Sequence, residues 1–294
     1  MNQDLLSAFR DGVVVCDGAM GTELMLRGFK LGECGMRWNQ EKSSEVASVH
    51  AAYARAGCLL VTTNSFGGSR SMLQRHGLGD HVQDWNRRAA ALAREAVGTG
   101  GWVFGDVGPF GDFLEPLGET SPEELFAIFS EQIGALVDGG ADAVLIETMS
   151  DPAEAAVGVR ASKSLCGLPV AVTYAFQNSG GVFRTMMGTS ARDAIQAALT
   201  AGADIVGANC GTDLSLEDYV ALARELKSAA REAPVLIQPN AGSPRTTADG
   251  VSYDANPAEM GITAVRLREA GASVIGGCCG TTPDHLAAMA AALA

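Results

Sequence analysis

Ala201-Gly202-Ala203-Asp204-Ile205-Val206-Gly207-Ala208-Asn209-Cys210 reads as a helix end, a buried strand and a polar strand tip in direct succession. Gly202 supplies the left-handed conformation that stops a helix and turns the chain back. The run Asp204 to Gly207 suits a strand covered on both faces, as in a parallel sheet sheathed by helices. The same ending recurs at Ala56-Gly57-Cys58, Gly139-Gly140-Ala141 and Ala270-Gly271-Ala272, each just ahead of another short apolar run.

Eight such runs follow along the chain: Val13 to Cys16, Leu59 to Thr63, Trp102 to Gly105, Ala143 to Ile146, Pro169 to Tyr174, Asp204 to Gly207, Pro234 to Ile237 and Ser273 to Ile275. Between them lie eight alanine-rich segments with apolar residues three and four apart: Glu45 to Ala56, Asp84 to Val97, Glu123 to Val137, Pro152 to Ser164, Ala191 to Ala201, Leu216 to Arg231, Pro257 to Ala270 and Pro283 to Leu293. These spacings predict helices. Caps are expected at Ser121 with Glu124, Ser215 with Asp218, Asn256 with Glu259, and Thr282 before Pro283. The alternation predicts an α/β fold, a single (β/α)8 TIM barrel, with an open doubly wound sheet as the alternative. No Ser/Pro-rich linker divides the chain, so 1–294 is read as one domain.

Composition narrows the function. With 47% hydrophobic and 19% charged residues the chain is globular in composition, and a net charge of -13 argues against nucleic acid or an anionic membrane as partner. Met1 to Gly12 lacks the apolar core of a signal peptide, and no apolar run is long enough to span a bilayer. The seven cysteines, at 16, 34, 58, 166, 210, 278 and 279, are odd in number and scattered, which favours reduced thiols and a cytoplasmic location.

Active sites of such barrels lie at the C-terminal ends of the strands. There the sequence places Asp17-Gly18-Ala19-Met20-Gly21-Thr22-Glu23, Asn64-Ser65-Phe66, Asp106, Glu147-Thr148, Asn209-Cys210, Gln238-Pro239-Asn240 and Cys278-Cys279; the fifth strand has no obvious candidate. Adjacent residues of a strand face opposite ways, so Cys278 and Cys279 serve one site only if the backbone bends. Gly276, Gly277 and Gly280 permit that bend. Cys210, Cys278 and Cys279 on one rim form a soft ligand set suited to zinc, with a fourth position open. The competing reading makes them buried small hydrophobes. Cys16, Cys34, Cys58 and Cys166 are read as structural.

The segments Asp17 to Glu23, Thr63-Asn64-Ser65-Phe66-Gly67, Glu147-Thr148, Gly207-Ala208-Asn209-Cys210, Pro239-Asn240-Ala241-Gly242 and Gly276 to Pro283 together resemble the zinc-dependent homocysteine S-methyltransferase family, in order and over essentially the whole chain. Within it, Cys279-Gly280-Thr281-Thr282-Pro283 and Pro239-Asn240-Ala241-Gly242 look most similar to the homocysteine-binding barrel of cobalamin-dependent methionine synthase. The resemblance implies Zn²⁺ on Cys210, Cys278 and Cys279, with Asn240 as a fourth ligand when substrate is absent. It implies that the carboxylate of L-homocysteine meets the N–H groups of Gly18, Ala19, Met20, Gly21 and Thr22, and that the ammonium meets Glu147. Asp17, Asn64 and Asn209 are placed in the same substrate site; the plainer readings are an Asp-Gly turn for Asp17 and bonds to neighbouring loops for Asn64, Asp106 and Asn209.

The implied reaction is methyl transfer to the homocysteine thiol, giving L-methionine. If zinc lowers the thiol pKa by about 2 units, the ionised fraction rises roughly 30-fold while intrinsic nucleophilicity drops about 10-fold. In-line placement must therefore supply most of the rate. None of the four histidines, at 50, 76, 81 and 285, sits in the Asp-x-His-x-x-Gly motif of a cobalamin module, and the chain ends just after the last barrel helix. The expected donor is thus methylcobalamin, on a separate corrinoid protein or free. The alternatives are a small donor such as betaine or S-methylmethionine, a non-catalytic homocysteine-binding subunit, or a barrel enzyme of unrelated chemistry. Phe176 to Ser190, with Met186 and Met187, is expected to form part of the donor-facing rim or a solvated loop with the two methionines packed on the barrel.

Overall fold

In the computed structural model, which describes residues 4–165, 167–247 and 250–294, the apolar runs form eight parallel strands. They are Val14–Val15, Leu60–Thr62, Trp102–Val107, Ala143–Met149, Val170–Tyr174, Ile205–Asn209, Val235–Gln238 and Val274–Ile275. From the second to the eighth, each pairs in parallel with the next in the chain, and the eighth pairs with the first, Val14 opposite Val274. The first and second strands meet through a Cys16–Leu60 bridge, with Leu59 N–H donating to Val15 O and Asp17 N–H to Leu60 O, both at 3.0 Å. The sheet therefore returns to its start as a barrel, which excludes the open doubly wound alternative. The structural role expected of Cys166, and Met1 to Gln3 of the stretch read for a leader, lie outside the described residues.

Why the runs are continuously apolar follows from which way their residues point. Leu60, Phe104, Leu145, Ala171, Ile205, Leu236 and Val274 pack into one interior cluster. Their alternates, among them Val61, Val103, Val144, Val172, Val206 and Val235, pack outward against the helices. Both faces of each strand are buried, so alternation disappears.

The main helices run Ser43–Arg55, Val82–Val97, Pro122–Asp138, Pro152–Leu165, Ala191–Ala201, Leu216–Ala230, Pro257–Glu269 and Pro283–Leu293. Ser121, Ser215 and Asn256 close capping boxes with Glu124, Asp218 and Glu259 as expected. A helix not read from the sequence, Leu5–Asp11, is capped by Asp4, and its Leu5, Ala8 and Phe9 join the interior cluster. Short helices at Met20–Leu26, Trp38–Glu41 and Arg70–Gln74 occupy the first and second strand-to-helix connections.

Two antiparallel hairpins rise after the fifth and seventh strands, Phe176–Ser179 with Val182–Thr185 and Pro244–Thr247 with Gly250–Tyr253. The first corrects the loop expected at Phe176 to Ser190. Gly180 and Gly181, at φ 65° and 89°, make its turn, and Phe176 and Phe183 bury one side. Met186 is 70% exposed and does not pack on the barrel. No helix among the described residues is long and apolar enough to cross a membrane.

Candidate active site at the C-terminal rim

Cys210 follows the sixth strand in the left-handed region, at φ 51°, so its side chain leaves the strand direction abruptly. After the eighth strand the chain turns instead. Gly277 N–H donates to Asp17 O (2.9 Å), Cys278 N–H to Pro239 O (2.8 Å) and Thr281 N–H to Cys278 O (3.1 Å). Gly280, at φ 81°, lies so close to the Tyr253 ring that a Cβ there would collide with it. This turn brings both adjacent thiols to one side. The Cys210–Cys279 and Cys278–Cys279 sulfurs are each 3.9 Å apart, and all three lie within 4.8 Å of one another.

That spacing fits a tetrahedral ion, since zinc–sulfur bonds of about 2.3 Å place sulfurs about 3.8 Å apart. The charge balance fits as well. Cys210 and Cys278, together with the Tyr253 hydroxyl, donate to the Cys279 sulfur and hold it well below the usual thiol range. Cys278, as donor to Cys210 and Cys279, is pushed up. Without a cation the trio thus favours one thiolate; three thiolates at this spacing call for a bound positive charge. Asn240 is buried, and its Oδ1 has no partner among the described residues. Its N–H donates to Tyr219 Oη (3.4 Å), whose own hydroxyl donates to Cys210 O. The donor set and this orphaned oxygen both suit zinc.

Asn209, expected to meet substrate, is committed elsewhere. Its Oδ1 accepts from Thr173 Oγ1 (2.8 Å) and Thr148 N–H (3.2 Å). Its Nδ2 donates to Thr148 Oγ1 (2.6 Å) and toward Cys278 Sγ (3.8 Å). Its amide has no capacity left for a ligand, so it braces the cysteines from behind. Asn64 lines the cavity, and its Nδ2 donates to Gly35 O (3.1 Å) and Asn39 Oδ1 (2.9 Å), tying neighbouring loops.

A cavity of about 1150 Å³ opens beside the sulfurs. Gly18 to Thr22 line it, but Ala19 N–H already donates to Thr281 Oγ1 (3.0 Å), which removes one of the five N–H groups expected to hold a carboxylate. Thr22 Oγ1 accepts from Gly280 N–H (3.0 Å). Gly18 is required sterically, because a Cβ would sit 2.5 Å from Thr281 Oγ1 and 2.8 Å from Leu286. Cys34, read as structural, lines the outer part of the same cavity; Cys16 and Cys58 are buried.

Carboxyl groups gather at the inner end. Asp17, expected in the substrate site, is buried, and its Oδ2 accepts from Thr62 N–H (2.9 Å) and its Oδ1 from Thr62 Oγ1 (3.1 Å), which ties the first strand to the second. Burial pushes Asp17 up to about 7. Glu147 and Asp106 do line the cavity. Glu147 is pushed up to about 8 by burial, then by Asp17 and Cys279. It owes its position to a register shift between Ile146 and Met149, where Thr148 adopts φ 59°. That conformation is strained for a β-branched residue, and it turns Glu147 and Thr148 both to the cavity wall.

Tyr219, Tyr253 and Asn39 were not read from the sequence. Tyr253 lies in a hairpin without apolar periodicity, and only its contact with Gly280 and Cys279 marks it. The outer cavity is apolar, with Met25, Phe29, Leu31 and Phe66 along it. A separate groove of about 700 Å³ against the outer helices is lined by Arg37, Trp85 and Arg87, whose guanidinium groups pair with Glu41 (3.7 Å) and Asp84 (3.5 Å).

A model of the homocysteine S-methyltransferase family matches residues 14–293. Methionine synthases of Mycobacterium leprae (strain TN) and Mycobacterium tuberculosis (strain ATCC 25618 / H37Rv) are 34% and 32% identical over 99% of this chain. The chain spans 25% of their length. The homocysteine methyltransferase MmuM from Escherichia coli superposes in its metallated form with a TM-score of 0.80 at 25% identity, over 97% of this chain and 99% of that one. Its oxidized form gives 0.80 at 26% identity, over 97% and 98%. A methyltransferase from Methanosarcina mazei, at 14% identity and a TM-score of 0.62 over 98% and 96%, shares the fold. The rim cysteines, the glycine-hinged turn and the barrel that presents them thus stand within a matched stretch covering nearly the whole chain, which belongs to the homocysteine S-methyltransferase family.

Proposed function

We propose that this chain, with 1–294 acting as one homocysteine-binding barrel, transfers a methyl group to the thiol of L-homocysteine and forms L-methionine. The observation that carries the reading is the convergence of the Cys210, Cys278 and Cys279 sulfurs within 4.8 Å of one another on a cavity that also presents Glu147. Those three thiols would hold zinc, with Asn240 Oδ1 as the fourth donor until substrate arrives. When bound, the ion supplies a Lewis acid that keeps the substrate sulfur as thiolate at neutral pH.

The remaining work falls to the chain itself. Glu147 receives the ammonium, and the N–H groups of Gly18, Met20, Gly21 and Thr22, at the start of a helix, receive the carboxylate. Anchoring both ends of the amino acid fixes the direction in which its sulfur points, the factor from which most of the acceleration must come. The cavity exceeds what homocysteine needs, and its apolar outer part leaves room for a donor. Methylcobalamin, on a separate corrinoid protein or free, is the donor we favour. A site of three free thiols works where thiols stay reduced, which supports a cytoplasmic location.

The test is methionine formation by the zinc-loaded chain with methylcobalamin, S-methylmethionine, betaine and 5-methyltetrahydrofolate in turn. Turnover with methylcobalamin alone supports the reading, and turnover with an onium compound reassigns the donor. Homocysteine binding without turnover on any donor makes the chain a binding subunit.

A further inference from the structure

We propose that Asp106 is a second anchor for the substrate ammonium, acting with Glu147, and that it sets the preference for α-amino thiols over thiols lacking the amine. The inference rests on the homocysteine reading above and extends it to a residue at the tip of the third strand. Asp106 is 4% exposed, lines the cavity, and its Oδ1 has no hydrogen-bond partner among the described residues.

Its backbone is fixed from several sides. Asp106 N–H donates to Thr63 Oγ1 (2.9 Å), and its carbonyl accepts from Ser65 Oγ (2.6 Å) and Gln132 Nε2 (3.4 Å). These bonds hold the residue at the wall while leaving the side-chain oxygen unused. A buried carboxylate oxygen without a donor is costly, and the cost is relieved by a ligand that brings donors and positive charge.

The surroundings specify that charge. Burial, then the nearby Glu147 and Asp17 carboxyls, push Asp106 well above the usual carboxylate range. Among the described residues, the one Lys or Arg on the cavity wall is Lys30, which is exposed. Gln238, at the tip of the seventh strand, lines the same cavity with its buried Oε1 likewise unpartnered among the described residues. A primary ammonium has three N–H donors. Glu147, Asp106 and Gln238 offer it three acceptors.

The experiment compares L-homocysteine with 4-mercaptobutanoate, which keeps the thiol and carboxylate but lacks the amine. Binding to the zinc-loaded protein is measured by calorimetry for wild type, Asp106→Asn and Asp106→Ser. Zinc content and melting temperature are recorded for each, so that a misfolded variant is replaced by the other. The expected result is a wild-type preference for L-homocysteine that falls about 10-fold or more in both variants, through weaker homocysteine binding and unchanged mercaptobutanoate binding. A folded, zinc-replete variant with the wild-type ratio overturns the role of Asp106. A wild-type protein that binds neither thiol overturns the proposed function itself, and this inference with it.

Discussion

Asn209 Nδ2 lies 3.8 Å from Cys278 Sγ, while the same amide nitrogen donates to Thr148 Oγ1 at 2.6 Å. One side chain thus links a cysteine of the rim cluster to the residue following Glu147. Partners that orient metal ligands in this way typically contribute 10–100-fold in affinity, so Asn209→Leu is expected to weaken zinc binding by roughly 10-fold or more. Chelator competition measures it; wild-type affinity in a folded variant would remove Asn209 from the metal site.

Cys279 carries the thiolate that its neighbours favour, and it lies 3.9 Å from each of the other two sulfurs. Cys279→Ala is expected to lose both bound zinc and methionine formation, read by metal analysis and turnover on the same preparation. Wild-type turnover by this variant would defeat the mechanism.

Gly280→Ala places a methyl group against the Tyr253 ring in a backbone at φ 81°. A loss of roughly 1–3 kcal/mol in unfolding free energy is expected from the strained conformation. Gly21→Ala is the control, since no heavy atom lies within 4 Å of its added Cβ. Denaturant titration of the pair would expose the error if both variants behaved alike.

Glu154 is buried, accepts from Phe110 N–H at 2.8 Å, and is pushed up by burial from 4.5 to about 7. The folded chain therefore keeps a proton that the unfolded chain releases. Its contribution is fully present below about 4.5, declines as pH rises, and is lost above about 7, a difference of roughly 3 kcal/mol. Glu154→Gln keeps an acceptor for Phe110 and cannot ionise. Its melting temperature relative to wild type is expected to rise between pH 5 and pH 8, and a constant difference would contradict the shift.

The barrel is legible in the sequence because strands buried on both faces leave continuous apolar runs, and because Gly57, Gly140, Gly202 and Gly271 mark helix ends with positive φ. The rim residues follow from strand order alone. What escapes is whatever depends on a distant partner. That Thr281 occupies Ala19 N–H, that Thr62 occupies Asp17, and that Asn209 is spent on Thr148 and Thr173 are contacts no local pattern encodes. The helix Leu5–Asp11 escapes for a related reason, since its apolar residues are read correctly only once the barrel interior they join exists.

Thr281 Oγ1 reaches Ala19 N–H across 262 positions of sequence, and Thr22 Oγ1 receives Gly280 N–H across 258. The loop that begins the cavity and the turn that bears two of its sulfurs are therefore joined only across most of the barrel's sequence. A nascent chain emerging from the ribosome N-terminus first presents its first loop and Cys210 long before Cys278 and Cys279 exist. The full trio can therefore take up the ion only after the turn at Cys278 and Cys279 has docked on that first loop, and metal retention reports a closed barrel.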